Sequence, residues 1–131
     1  MGKFCAYWIR LMADHNELGK LGEAFALSYF QSKSYILLES NWRFRKEEID
    51  LIFQFNNQIV FVEVKTRTAA EHANAEDVIS NAKIRHLIEA ADQYLQLKNI
   101  QLEAQFDVLI LVSQGTSFEV EHIPEAFSPS F

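Results

Sequence analysis

Two apolar runs joined by a two-residue link constrain this chain more than anything else in it: EIDLIFQFNNQIVFVEVKTR, residues 48–67. Asn-Asn suits a tight hairpin, because asparagine tolerates the left-handed backbone such a turn needs. A turn at Asn56 and Asn57 fixes the register, with Phe55 opposite Gln58, Asp50 opposite Glu63 and Glu48 opposite Lys65. Side chains alternate faces along a strand. Val60, Val62 and Val64 therefore take one side of the second run, and Ile59, Phe61, Glu63 and Lys65 the other. In the first run Ile49, Leu51 and Phe53 share a side, and Glu48, Asp50 and Ile52 share the opposite one. Residues directly opposite in a hairpin have Cβ atoms about 4.5–5.5 Å apart, so Asp50 and Glu63 meet. Two carboxylates about 4 Å apart repel by about 4 kcal/mol at an effective dielectric of 20. Lys65 balances one charge. A divalent ion resolves the rest, and a few carboxylate oxygens completed by water is how Mg2+ is usually held.

The remaining chain supplies elements to cover this hairpin. A helical pattern runs over residues 16–31 and breaks at the serine-containing stretch 32–34. YILLES, residues 35–40, reads as a first strand, with 48–55 and 58–66 as the second and third. The small, polar stretch 67–75 reads as a loop, and a long helix follows over 75–97. AQFDVLILV, residues 104–112, is almost wholly apolar, as a strand covered on both faces is. Gly115 marks a turn, residues 117–123 a short last strand, and the tail after Pro124 is expected to be irregular. Strands that resume after a long helix require a crossover, so the expectation is a mixed α/β sheet with helices on both faces.

A length of 131 residues suits one domain, expected over residues 16–131. Residues 1–15 are expected to form a loosely ordered N-terminal segment. Its apolar stretch, bounded by Lys3 and Arg10, is far shorter than the roughly 20 residues a membrane span needs. The lone cysteine, Cys5, excludes an internal disulfide and fits a reducing compartment. The net charge of −6 excludes charge-driven, non-specific attraction to nucleic acid, so any phosphate contact must come from a local basic patch. The four histidines, His15, His72, His86 and His122, have no metal-ligand spacing.

Both helices carry one charge where an apolar residue is expected. On the first, Leu18, Leu21, Phe25 and Tyr29 form a stripe that Ala26, Leu27 and Phe30 widen, and Glu23 falls inside the widened arc. On the second, Lys83 falls within the apolar side made by Ile79, Ile84, Leu87, Ile88, Ala90, Ala91 and Tyr94. A lysine stem lying on apolar surface with its head in water is the common outcome there. Trp42 reads as an edge aromatic.

GEAFA, NWRF, EIDLI, FVEVKTR, NAKIRHLIEAADQYL, FDVLIL and HIPEAF follow one another between residues 18 and 127. In these motifs the chain resembles the YraN-like family of small bacterial proteins, within the restriction-endonuclease-like PD-(D/E)XK superfamily. The resemblance implies an αβββαβ core, the element order read above. It implies a metal-dependent nuclease site made of Asp50, Glu63 and Lys65, with Glu23 contributed by the first helix, and Asp50 and Glu63 as ligands of Mg2+ or Mn2+. The family usually has glycine where this chain has Glu47, and Ile49 stands where the superfamily motif has proline. Arg43, Arg45 and Arg67, with Lys83, are the candidates for phosphate contact. The expected activity is phosphodiester hydrolysis on DNA or RNA, in the cytoplasm, with DNA the first choice and roles in repair or recombination in view. Two other readings of the same fold stay open: a catalytically weak nucleic-acid-binding or repair accessory module, and a protein–protein adaptor. A homodimer also stays open, and no membrane partner is expected.

Overall fold

Asn56 and Asn57 adopt φ angles of 49° and 61°, the left-handed pair that a type I′ turn requires. Phe55 pairs with Gln58 across them, so the hairpin closes in the register read from the sequence. The computed structural model describes residues 15–74, 79–115 and 117–129. In chain order these form α1 (His15–Gln31), β1 (Ile36–Phe44), β2 (Glu47–Phe55), β3 (Gln58–Thr68), α2 (Ala69–Asn74), α3 (Asn81–Leu97), β4 (Glu103–Gln114) and β5 (Ser117–Phe127).

The strands lie in the spatial order β1-β2-β3-β4-β5. β1, β2 and β3 are an antiparallel meander, β3 and β4 are parallel, and β5 returns antiparallel to β4. Parallel pairing of β3 with β4 needs a long crossover, and α2 and α3 supply it. The result is a five-stranded mixed α/β sheet flanked by helices, consistent with the restriction-endonuclease-like core. Among the described residues no helix is long and apolar enough to cross a membrane.

Each face of the sheet has its own core. Ala26 and Phe30 of α1 pack on Leu51, Phe53, Val60, Val62, Leu109 and Leu111. Leu87, Ala90, Ala91 and Tyr94 of α3 pack on Ile49, Ile52, Ile59, Phe61 and Phe106 of the other face. The deepest line of α1 is Leu18, Gly22, Ala26 and Phe30, one row round from the stripe expected at Leu18, Leu21, Phe25 and Tyr29. Gly22 explains the rotation: a Cβ there would lie 2.1 Å from Thr66 Oγ1 and 3.0 Å from Thr66 Cβ. Backbone of α1 therefore rests directly on β3, which no larger residue would allow.

Several boundaries differ from expectation. β1 continues to Phe44, through Asn41 in a left-handed conformation (φ 51°). β3 runs to Thr68, and a short helix replaces the expected loop. Thr68 and Glu71 cap that helix reciprocally: the Thr68 amide donates to Glu71 Oε1 at 2.8 Å and the Glu71 amide to Thr68 Oγ1 at 3.1 Å. The long helix starts at Asn81, not 75, because Ser80 caps it by accepting from the Lys83 amide. The expected N-terminal segment lies almost wholly outside the described residues.

β5 also overruns its expected end, passing Pro124 to reach Phe127. Its register shifts where Phe106 faces Phe127 and Val108 faces Ile123. In the gap sits Asp107, fully buried at 0% exposure. Its carboxylate accepts from His122 Nε2 at 2.7 Å, Gln105 Nε2 at 2.9 Å and the Glu125 amide at 3.1 Å. That carboxylate fills the bulge created by Pro124, which has no amide to donate, and by left-handed Glu125 (φ 49°).

Candidate metal centre

Backbone pairing of β2 with β3 runs from Phe55 and Gln58 to Leu51 and Val62. At the next step the Val64 amide donates at 2.8 Å to Asp50 Oδ2. A side-chain carboxylate has taken the place of a ladder carbonyl. The irregularity continues into β1, where left-handed Asn41 lies between Ser40, paired with Leu51, and Trp42, paired with Ile49. Strict alternation would put Ile49 and Leu51 on one face. Instead Ile49 joins the α3 core and Leu51 the α1 core. The break falls at Asp50, which is thereby turned toward acids on both sides of it.

On one side is Glu63, near Asp50 although the ladder expected to pair the two ends at Leu51 and Val62. The two carboxyls come close enough for one to hydrogen-bond the other. Burial raises the Asp50 pKa to about 8. The charge of Glu63 and the hydrogen bond to it add to the rise, the Val64 amide opposes it, and the charge of Glu23 adds a little more. On the other side are Glu23 of α1 and Glu48 of β2, whose carboxylate oxygens lie within 4.8 Å of one another and of Asp50. Asn41 Nδ2 donates to Glu23 Oε1 at 2.8 Å and holds it there.

Lys65 lines the same cleft as Asp50, Glu48 and Glu23, together with Lys20, Thr66 and Arg67; the cleft has a volume of about 360 Å³. The expected pairing of Glu48 with Lys65 is not made. Regular pairing ends at Leu51, and Glu48 instead binds the guanidinium of Arg43 on β1 at 3.2 Å. The candidate arginines are divided. Arg67 lines the acid cleft and Arg43 reaches its rim through Glu48. Arg45 lies over the Phe44 ring, 5.0 Å from its centroid, and pairs with Glu89 of α3 at 3.0 Å. It faces a separate hollow lined by Phe44, Lys46, Glu47, His86 and Glu89.

The Lys83 side chain stays 36% exposed, as a stem with its head at the water boundary does, but the head is also paired. Its ammonium donates to Glu47 Oε1 and stands 3.7 Å from Glu63 Oε2. Burial pulls its pKa down, but the hydrogen bond to Glu47 and the charges of Glu63, Glu47 and Asp50 outweigh it, and the net shift is upward. The acid in place of the family glycine is thus matched by a cation from α3. Trp42 packs edge-on against Tyr94, with ring centroids 5.2 Å apart, and is part of the α3 core.

Sequence reasoning passed over two members of the site. Glu48 carried a signal, its place two residues before Asp50 on one strand face. Asn41 carried none, since its role depends on a β1 irregularity that brings it to Glu23. The donors that converge are all carboxylate oxygens. Carboxylate oxygens are hard donors, which suit a hard cation rather than a softer one.

The five-stranded mixed sheet flanked by helices makes this an α/β protein with a core consistent with the restriction-endonuclease-like fold. The family model described as "Uncharacterised protein family UPF0102" matches residues 22–111, and the chain belongs to this YraN-like family. It is similar to the UPF0102 protein of Phocaeicola vulgatus, 41% identical over 118 residues that cover 90% of this chain and 98% of the relative. It is also similar to the UPF0102 protein of Flavobacterium psychrophilum, 40% identical over 116 residues that cover 88% and 98%. The UPF0102 protein of Bacteroides thetaiotaomicron is 38% identical over 118 residues covering 90% and 98%.

Proposed function

We propose that this protein is a Mg2+- or Mn2+-dependent nuclease that hydrolyses phosphodiester bonds in DNA, acting in the cytoplasm. The observation that carries this reading is Asp50. Among the described residues its one backbone donor is the Val64 amide, and the carboxyls of Glu63, Glu23 and Glu48 crowd it. Acids this close repel one another unless a cation or a shared proton intervenes, and two carboxyls sharing a proton cost stability at neutral pH. Asp50 and Glu63 would hold the ion, with Glu48 and Glu23 beside Asp50 able to bind it directly or through water.

Bound there, the ion would lower the pKa of a water and offset charge on the reacting phosphate. The chain's own part is positional. Lys65 brings an ammonium to the cleft that Asp50 lines, where it would orient the attacking water or balance the charge developing on the phosphate oxygens. Lys20 and Arg67 line the same cleft and offer local positive charge in a chain of net charge −6. Glu47 does not obstruct this reading, because its carboxylate is turned to Lys83 and His86.

The test is cleavage of a panel of single-stranded, duplex, flap and junction DNA and RNA across a Mn2+ series, with Asp50→Ala alongside. Ion-dependent cleavage by the parent and none by Asp50→Ala is the expected result. A parent that binds these nucleic acids but cuts none of them at any ion concentration would make the protein an accessory binding module instead.

A further inference from the structure

The row of acids does not stop at Glu63. Beyond it, toward α3, lies Glu47, and between the two stands the ammonium of Lys83. The side chains of Glu47 and Glu63 are only 14% and 10% exposed, and that of Lys83 is 36% exposed. Water therefore does little to screen these two carboxylates, and the lysine is their cation. Its place is fixed from both ends. The backbone amide of Lys83 is tied to the Ser80 cap, and one turn on, Leu87 locks α3 to the sheet.

Glu63 has cations in prospect on both sides. Toward Asp50 it faces the candidate metal position; toward α3 it faces Lys83. In two-metal nucleases the ions sit about 3.5–4 Å apart across a pair of reacting oxygens, and a carboxylate with a cation on each side is what links such ions. Here one of the two cations is covalently part of the protein.

We propose that the Lys83 ammonium occupies the position of a second metal ion, so that this centre takes a single divalent ion at Asp50 and Glu63. This rests on the metal-dependent reading above. Glu47 is then the partner that holds Lys83 in place, and the pair together make the α3 end of the acid row closed to metal. Removing the ammonium while keeping both carboxylates opens a second ion position between Glu47 and Glu63.

Ion stoichiometry tests this without reference to activity. Mn2+ is titrated into metal-free parent, Lys83→Met, Lys83→Gln and Lys83→Arg by calorimetry, and the loaded proteins are examined by electron paramagnetic resonance. The parent and Lys83→Arg are expected to take one ion per chain and give the signal of an isolated Mn2+. Lys83→Met and Lys83→Gln are expected to take two, with the signature of an exchange-coupled pair. Should the methionine variant not fold, the glutamine variant carries the same expectation, since its amide can still donate to Glu47. Two ions in the parent, or one in both neutral variants, would overturn the inference and leave the metal-dependent reading standing. No ion in the parent would overturn both.

Discussion

Asp107 and Asp50 are both aspartates inside one sheet, and their surroundings are opposites. Asp107 is the more deeply buried, yet it accepts three hydrogen bonds, from His122, Gln105 and the Glu125 amide. Asp50 accepts one from the Val64 amide and otherwise meets acids. A buried carboxylate surrounded by donors belongs to the structure, since each donor offsets part of its desolvation. A buried carboxylate surrounded by carboxylates is unfinished by the protein alone. Burial therefore does not separate structural from functional charge in this molecule; the sign of the neighbours does.

The largest expected effect tests the structural half. Asp107→Ala leaves His122, Gln105 and the Glu125 amide without their acceptor beneath β5, and a loss of about 3 kcal/mol or more is expected, since each buried donor left unsatisfied costs about 1–3 kcal/mol. Urea unfolding measures it. Asp50→Ala in the absence of divalent ions should show a smaller loss, because it leaves only the Val64 amide without its acceptor. Equal losses at the two positions would erase the distinction drawn between them.

Next in size is the functional half. Lys65→Ala is expected to reduce cleavage by about 10²-fold or more, as for other groups that act on charge in the transition state. Its melting temperature and Mn2+ affinity should stay near those of the parent, since Lys65 is not an ion ligand in this reading. Cleavage that persists unchanged would mean that the activity comes from another site or another protein.

The same contrast explains what could be read in advance. The hairpin register followed from Asn56 and Asn57, so the meeting of Asp50 with Glu63 was legible in the sequence. Glu23 stood out as a charge within an apolar arc, and the helix face it marks is the one that reaches the acids. Asp107 was just as much a charge in an apolar run, but its meaning depended on β5 continuing past Pro124. Proline normally ends such a strand, and only the bulge with Asp107 inside it permits the overrun. Lys83 was visible as an anomaly, yet its partner was not, because Glu47 is brought near only by the packing of α3 on β2. Local periodicity reports which face a residue takes. It does not report what another element sets against that face.

A third test uses pH. Without divalent ions Asp50 keeps its proton up to about pH 8, whereas in the unfolded chain it releases it near the ordinary aspartate value of 3.8. Between these values the folded state binds more protons than the unfolded one, so Asp50 makes stability fall as pH rises from about 4 to about 8. Asp50→Asn should remove this slope and melt above the parent at pH 8 in chelator. Ion binding must expel the proton, so Mn2+ affinity should rise with pH up to about 8. At 100 times its dissociation constant the ion adds about 2.7 kcal/mol to the parent and nothing comparable to Asp50→Asn. A parent whose melting is flat from pH 5 to 8, or equal ion shifts in the two proteins, would show Asp50 to be as well satisfied as Asp107.

The smallest effect concerns how Glu23 reaches Asp50 at all. Gly22 lets α1 approach β3 until a Cβ would strike Thr66, and Glu23 is the next residue. Gly22→Ala gains about 1 kcal/mol of helix propensity but must relieve a 2.1 Å overlap with Thr66 Oγ1, and overpacking of this kind costs about 1–3 kcal/mol. The net change in stability is expected to be a loss of about 1 kcal/mol, by urea unfolding. The change at the site should be clearer than the change in stability, because relief of the overlap moves α1 outward and takes Glu23 away from Asp50 and Asn41. Mn2+ affinity should therefore drop in Gly22→Ala. Adding Thr66→Ala removes the Oγ1 and Cγ2 atoms that the new methyl meets, leaving Cβ at 3.0 Å, and should restore most of the ion affinity. If Gly22→Ala binds Mn2+ as the parent does, Glu23 contributes nothing to the centre and belongs with the satisfied carboxylates, held by Asn41 for structure alone.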